Sequence, residues 1–162
     1  MYQPAIDFCR TAAEKANQRL SWGREDKAFF ASGACHILAF AFKSLHPTRN
    51  LEIVKLTPKA PHTNGTHVFV RDGMYAFDFN GWTKEKDLLE ISSRSYQFVY
   101  PEWQHELSVV DVNLETFCKN NNHRQPACFL EPPWERAYKY IANFDDEPPT
   151  VTKIQVEQSH LS

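Results

Sequence analysis

Three residues of this chain have the types and order for acyl chemistry: Cys35 in "SGACHILAFAF", His67 in "THVFV" and Asp78 in "YAFDFNGW". Cysteine attacks a carbonyl carbon as its thiolate. An imidazole can take up the thiol proton and return it to a leaving group. A carboxylate beside the ring keeps one nitrogen protonated and the other free. Cys35 falls in the first turn of an apolar run, with Ser32 expected as its N-cap. Unpaired amides at a helix start favour a thiolate and offer donors to an oxyanion.

His67 and Asp78 stand on the two arms of a hairpin, "HVFVRDGMYAFD". Asp72-Gly73 suits a type I′ turn, which needs positive φ at both central residues. A two-residue loop there makes Arg71 face Met74 and, counting outward, His67 face Asp78. Directly opposed residues share a face, with Cβ atoms about 4.5 to 5.5 Å apart. Each residue alone has an ordinary explanation: cysteine is among the most buried types, and polar cross-strand pairs are common on solvent faces. The combination carries the inference.

The elements that must position these groups follow from periodicity. Residues 4–20 read as one amphipathic helix with Ile6, Cys9, Ala13, Ala16 and Leu20 on one face. After a polar connector, Ala34 to Leu45 is apolar nearly all round, the mark of a helix buried on every side. Residues 51–57 alternate as a strand, and "PKAPHTNG" is a loop leading into the hairpin. "TKEKDLLEI" reads as a short helix, and "SYQFVYPEWQHELSVVDV" as one or two strands broken at Pro101. "LETFCKNNN" and "PPWERAYKYIANF" read as helices. The order, helices and then an antiparallel sheet, predicts an α+β domain over 1–145 with a polar tail or edge strand at 146–162.

A cysteine opening a buried helix, a histidine on a strand and an aspartate on the next strand resemble the papain-like cysteine hydrolase superfamily in its transglutaminase-like branch. That branch includes transglutaminase-like hydrolases, arylamine N-acetyltransferases and small bacterial effector or toxin domains. The resemblance covers about residues 30 to 90. It implies a papain-like fold, N-terminal helices with the nucleophile helix packed on an antiparallel sheet. It also implies that Cys35 is the nucleophile, His67 the general base and Asp78 the group that orients His67. The expected activity is hydrolysis of an amide bond in a protein or peptide substrate, by a peptidase, amidase or glutamine deamidase. The alternatives are acyl transfer by the same triad, or a catalytically idle protein-binding module. Two positions depart from the pattern. His36 stands where transglutaminases carry an aromatic residue, and Phe29 where papain-type proteases carry the oxyanion glutamine. Gln18 and Gln104 are the candidates for that missing donor.

Other groupings are weaker. Cys118-x4-His123-x4-Cys128, with Glu115 in the place of a first cysteine, has part of a zinc-knuckle spacing but lacks its glycines. No metal and no cofactor are expected. His36, beside Cys35 on another helical face, reads as a core or groove histidine. Trp82, Trp103 and His62 are candidate walls of a substrate groove. A net charge of −2 gives no footprint for nucleic acid or an anionic membrane. The start "MYQPAIDFCR" lacks the basic and long apolar stretches of a signal peptide, so cytoplasmic synthesis is expected, with any secretion by a signal-independent route. Four scattered cysteines in 162 residues read as free thiols.

Overall fold

A computed structural model describes residues 1–150 of the chain. The expected edge strand at 146–162 lies mostly outside the described residues. Helices and an antiparallel sheet make up the rest, which bears out the α+β class.

The first twenty residues do not form one helix. A 3-10 turn at Ala5–Phe8 is followed by α1 (Ala12–Ala16) and α2 (Gln18–Trp22). Polar caps cut the amphipathic pattern. Thr11 and Glu14 close a capping box on α1, and the Asn17 side chain accepts from the Arg19 and Leu20 amides to start α2. Helix α3 (Asp26–Ala31) ends at Ser32, which is its C-cap and not the N-cap of the next helix. The apolar helix α4 (Cys35–Leu45) starts from Ala34 with no side-chain cap.

The sheet has the order β4-β3-β2-β1-β5, every pair antiparallel: β1 (Glu52–Pro58), β2 (His67–Asp72), β3 (Tyr75–Asp78), β4 (Gly81–Lys84) and β5 (His105–Val110). Between β4 and β5 runs α5 (Glu85–Val99). It takes in "SYQFV", expected as strand. Leu88, Ser92 and Tyr96 are buried at a spacing of four, so the helical period overrides the β-branched and aromatic composition. Helices α6 (Leu114–Asn121) and α7 (Trp134–Ile141) follow as expected.

Helices cover both faces of the sheet. Ile53, Val68, Val70 and Phe77 pack with α3, α4, α6 and α7, while Val54, Phe69 and Ala76 pack with Tyr2 and Leu88 of α5. Phe42 of α4 stacks on Phe77 of β3 at 4.2 Å between ring centroids and holds the helix against the sheet. Truncating such a side chain to alanine typically costs about 3–5 kcal/mol. No helix among the described residues is long and apolar enough to cross a membrane.

The hairpin register differs from the expected one by two residues. Asp72 pairs with Tyr75, Arg71 with Ala76 and Val70 with Phe77, so the loop is Gly73-Met74. Gly73 has φ 58° and Met74 is not at positive φ, which places glycine at the first central position of the turn. Asp72 instead closes the ladder and accepts a hydrogen bond from Arg49 Nη2 at 2.8 Å. Because side chains alternate with period two, the shift leaves every residue on its expected face.

Candidate active site

Cys35 is the first residue of α4, where the first intrahelical bond runs from the Leu38 amide to the Ala34 carbonyl at 3.1 Å. The amides of Cys35, His36 and Ile37 therefore lie above the hydrogen-bond ladder, as at any helix start. Gly33, at φ 100°, turns the chain into the helix. A Cβ there would come within 2.9 Å of the Arg124 guanidinium and 3.0 Å of that of Arg10.

His67, at the first position of β2, and Asp78, at the last of β3, are each 3% exposed. Continuing the observed ladder sets Asp78 beside Phe69, diagonal to His67 rather than opposite it. The side chains still meet: His67 Nε2–H donates to Asp78 Oδ2 at 2.9 Å. Diagonal neighbours on one face remain within reach of long side chains. Asp78 is held in turn by three further donors. The Tyr2 hydroxyl reaches Oδ2 at 2.7 Å, and the Asn80 amide and side-chain Nδ2 reach Oδ1 at 2.8 and 3.3 Å. Burial and the Asp78 carboxylate push the Tyr2 phenol well up, so it stays a donor. The second ring nitrogen of His67, Nδ1, is buried without a hydrogen-bond partner among the described residues.

The electrostatics couple this pair to the cysteine. Burial alone would raise the Cys35 pKa, but the neighbouring His123, His36 and His67 side chains outweigh it and hold the thiol well below its usual range. Burial would lower the His67 pKa, and its hydrogen bond to Asp78 and the nearby Cys35 thiol reverse that and raise it. The arrangement favours a thiolate–imidazolium pair at neutral pH. Two further histidines stand at this thiol. His36 donates through Nε2 to the Arg124 carbonyl at 2.8 Å. His123 donates through Nδ1 to the Asn121 carbonyl at 2.9 Å. Asn122, left-handed at φ 53°, ends α6 and turns His123 back toward α4.

The thiol borders a cleft of about 320 Å³ whose walls include Ile6, Arg10, Lys15, Ser32, Asn64, Gly65, Tyr96, Tyr100 and His123. Arg10 Nε is buried there without a hydrogen-bond partner among the described residues.

The remaining expected site residues lie elsewhere. Trp82 packs edge-on against Phe42 and Phe77 and donates to the Asp145 carbonyl at 2.9 Å, away from the cleft. Trp103 is fully buried, stacked on Tyr96 at 4.7 Å, with Nε1–H on the Asn64 carbonyl at 2.9 Å. It buttresses the cleft wall from behind. His62 sits against Tyr100 at 6.0 Å between ring centroids and does not line the cleft. Gln18 accepts from Arg124 at 2.9 Å, and Gln104 lines a different surface pocket, so neither is at the thiol.

Tyr2, Asn80, His36, His123 and Arg10 are the site neighbours that sequence reasoning did not assign. Asn80, two residues after an aspartate, carried a readable turn signal. His36, next to Cys35 on the same helix, and His123, in the cysteine-containing 118–128 segment, were visible but read otherwise, whereas Tyr2 and Arg10 come from distant elements and carried no signal. The 118–128 segment does not gather as a zinc knuckle, because Cys118 turns to the Arg124 carbonyl and Cys128 is exposed. No protein-family model, curated protein or solved structure matches the chain.

Proposed function

We propose that this protein is a papain-like cysteine hydrolase that cleaves an amide bond through Cys35, His67 and Asp78. The observation that carries this reading is the buried His67–Asp78 pair, electrostatically coupled to the Cys35 thiol at the start of α4. Cys35 thiolate attacks the carbonyl carbon, and the negative charge moves to the carbonyl oxygen, held by the first amides of α4. Collapse of the tetrahedral intermediate breaks the C–N bond as His67 gives its proton to the departing amine. Water, deprotonated by the now neutral His67, attacks the thioester and releases the acid and the thiol. With a glutamine side chain as substrate, ammonia departs and the reaction is deamidation.

The test measures ammonia release from glutaminyl peptides and new N-termini from an unfolded protein substrate, comparing the wild type with Cys35→Ala. Turnover confined to the wild type supports the reading. Equal turnover by Cys35→Ala refutes it.

A further inference from the structure

Three histidines, rather than one, crowd the Cys35 thiol, and two of them have no place in the relay. The ligand atoms offered by Cys35, His36 and His123 all lie within 4.8 Å of one another. The rings of His36 and His123 meet edge-on, 4.9 Å apart at an angle of 80°.

The hydrogen bonds of these rings decide which nitrogens converge. A backbone carbonyl only accepts, so His36 carries its proton on Nε2, against Arg124, and His123 on Nδ1, against Asn121. In the neutral rings the lone pairs are then left on His36 Nδ1 and His123 Nε2. His36 Nδ1 is buried with no hydrogen-bond partner among the described residues. Two lone pairs and a thiolate turned on one point repel each other unless a cation or a proton stands between them. An imidazole whose far N–H is anchored on a carbonyl is the usual arrangement of a metal-bound histidine, because the anchor fixes the tautomer and the ring plane.

We propose that Cys35, His36 and His123 form a three-ligand site for zinc or a similar thiophilic divalent cation, open to the cleft at its fourth position, and that filling it switches Cys35 off. One sulfur and two imidazole nitrogens are a ligand set that suits zinc. Tetrahedral bonds of about 2.0 to 2.3 Å put ligand atoms roughly 3.3 to 3.7 Å apart. Reaching that spacing asks for a contraction of about 1 Å, within the range of small χ rotations. The mounts are firm: His36 belongs to the buried helix α4, and His123 follows the left-handed cap of α6. No bond to carbon is made or broken in the switch. The sulfur electron pair that would attack a carbonyl is donated to the metal instead, and a proton leaves the site if the thiol was protonated. The coordination stands on the ligand geometry alone, whereas the inhibition rests on Cys35 being the nucleophile.

The experiment uses the full chain freed of metal with a chelator, titrated with Zn²⁺ against a chromophoric competitor. Native mass spectrometry gives the stoichiometry, and iodoacetamide labelling of Cys35 is followed with and without zinc. We expect one zinc per chain, weakened at least about 100-fold by Cys35→Ser and about 10-fold or more by His123→Asn. Zinc should slow labelling of Cys35 at least tenfold, and excess chelator should restore it. His67→Asn removes the proposed base but no ligand, so it should keep one zinc per chain, its affinity lowered only by the proton that the Cys35 thiol must release. His123 is part-exposed, and thermal unfolding of His123→Asn checks that the variant is folded. Sub-stoichiometric binding, binding indifferent to both ligand variants, or unchanged labelling of the zinc-loaded chain would overturn the proposal. A chain that binds no zinc yet is labelled first at Cys35 loses the metal site and keeps the nucleophile. Turnover that requires zinc would overturn the inhibitory role and the acyl-enzyme reading together.

Discussion

Asp78→Asn tests the relay most directly, because the structure says which proton must move. Asp78 is buried and accepts from four donors, two on each oxygen. An asparagine that keeps its oxygen toward Asn80 turns its NH₂ group toward Tyr2 and His67. The Tyr2 hydroxyl can rotate and accept. His67 can accept only through an Nε2 lone pair, which moves the ring proton to Nδ1 and leaves no base facing Cys35. A hydrogen bond to a charged group contributes about 1.5–3 kcal/mol, so the loss of one such bond lowers the melting temperature by roughly 4–10 °C. The analogous change in a serine triad costs about 10⁴ in rate. A cysteine thiolate depends less on the third member, so the expected loss of turnover is on the order of 10- to 1,000-fold. The assay available before a substrate is known is iodoacetamide alkylation of Cys35 near pH 6, read by intact mass with peptide mapping. We expect the alkylation rate to drop about tenfold, since a weaker imidazolium stabilises less thiolate. A variant that melts lower but alkylates at the wild-type rate across pH would show that Asp78 only holds the fold, and the relay would be refuted.

In wild-type protein at mildly acidic pH, Cys35 should be alkylated before Cys9, Cys118 and Cys128; burial raises the Cys118 thiol to about 11, and equal labelling of all four refutes the thiolate assignment. Stability should plateau between about pH 6.5 and 8.5 and fall on both sides. Within that window the folded pair holds one proton on His67 and the unfolded chain one on Cys35. Below it the unfolded chain gains the histidine proton while folded Cys35 stays ionised. Above it the unfolded chain loses the thiol proton while folded His67 keeps its own, until its raised pKa is passed. Chemical denaturation across pH should show limbs of up to about 1.4 kcal/mol per unit, and Cys35→Ala should flatten them. Arg10→Gln should lower the ratio of iodoacetate to iodoacetamide labelling at Cys35 by roughly two- to fivefold, because it removes a cation that lines the cleft; an unchanged ratio refutes a role for Arg10 in receiving anions. Asp72→Asn should cost at most about 1 kcal/mol by loosening the Arg49 pair, and leave Cys35 labelling alone.

Periodicity and local chemistry carried much of this protein. The run from Ala34 to Leu45 is apolar on every side and is a buried helix for that reason, with Cys35 at its start. Alternation put His67 and Asp78 on one face, and it did so even though the turn was placed one residue early. A two-residue register error preserves faces, because side chains repeat every second residue. Local caps were less legible: the same apolar spacing at 4–20 runs through Thr11 and Asn17, whose side-chain bonds to nearby amides break it into short pieces. In "SYQFV", β-forming residues yielded to burial at every fourth position. Tertiary structure alone decided what surrounds the thiol. Tyr2 comes to Asp78 across 76 positions, and His123 reaches Cys35 from the end of α6. Pattern along a chain records which side of an element is buried. Which distant side chain fills the space there depends on the packing of whole elements, and no local spacing encodes it.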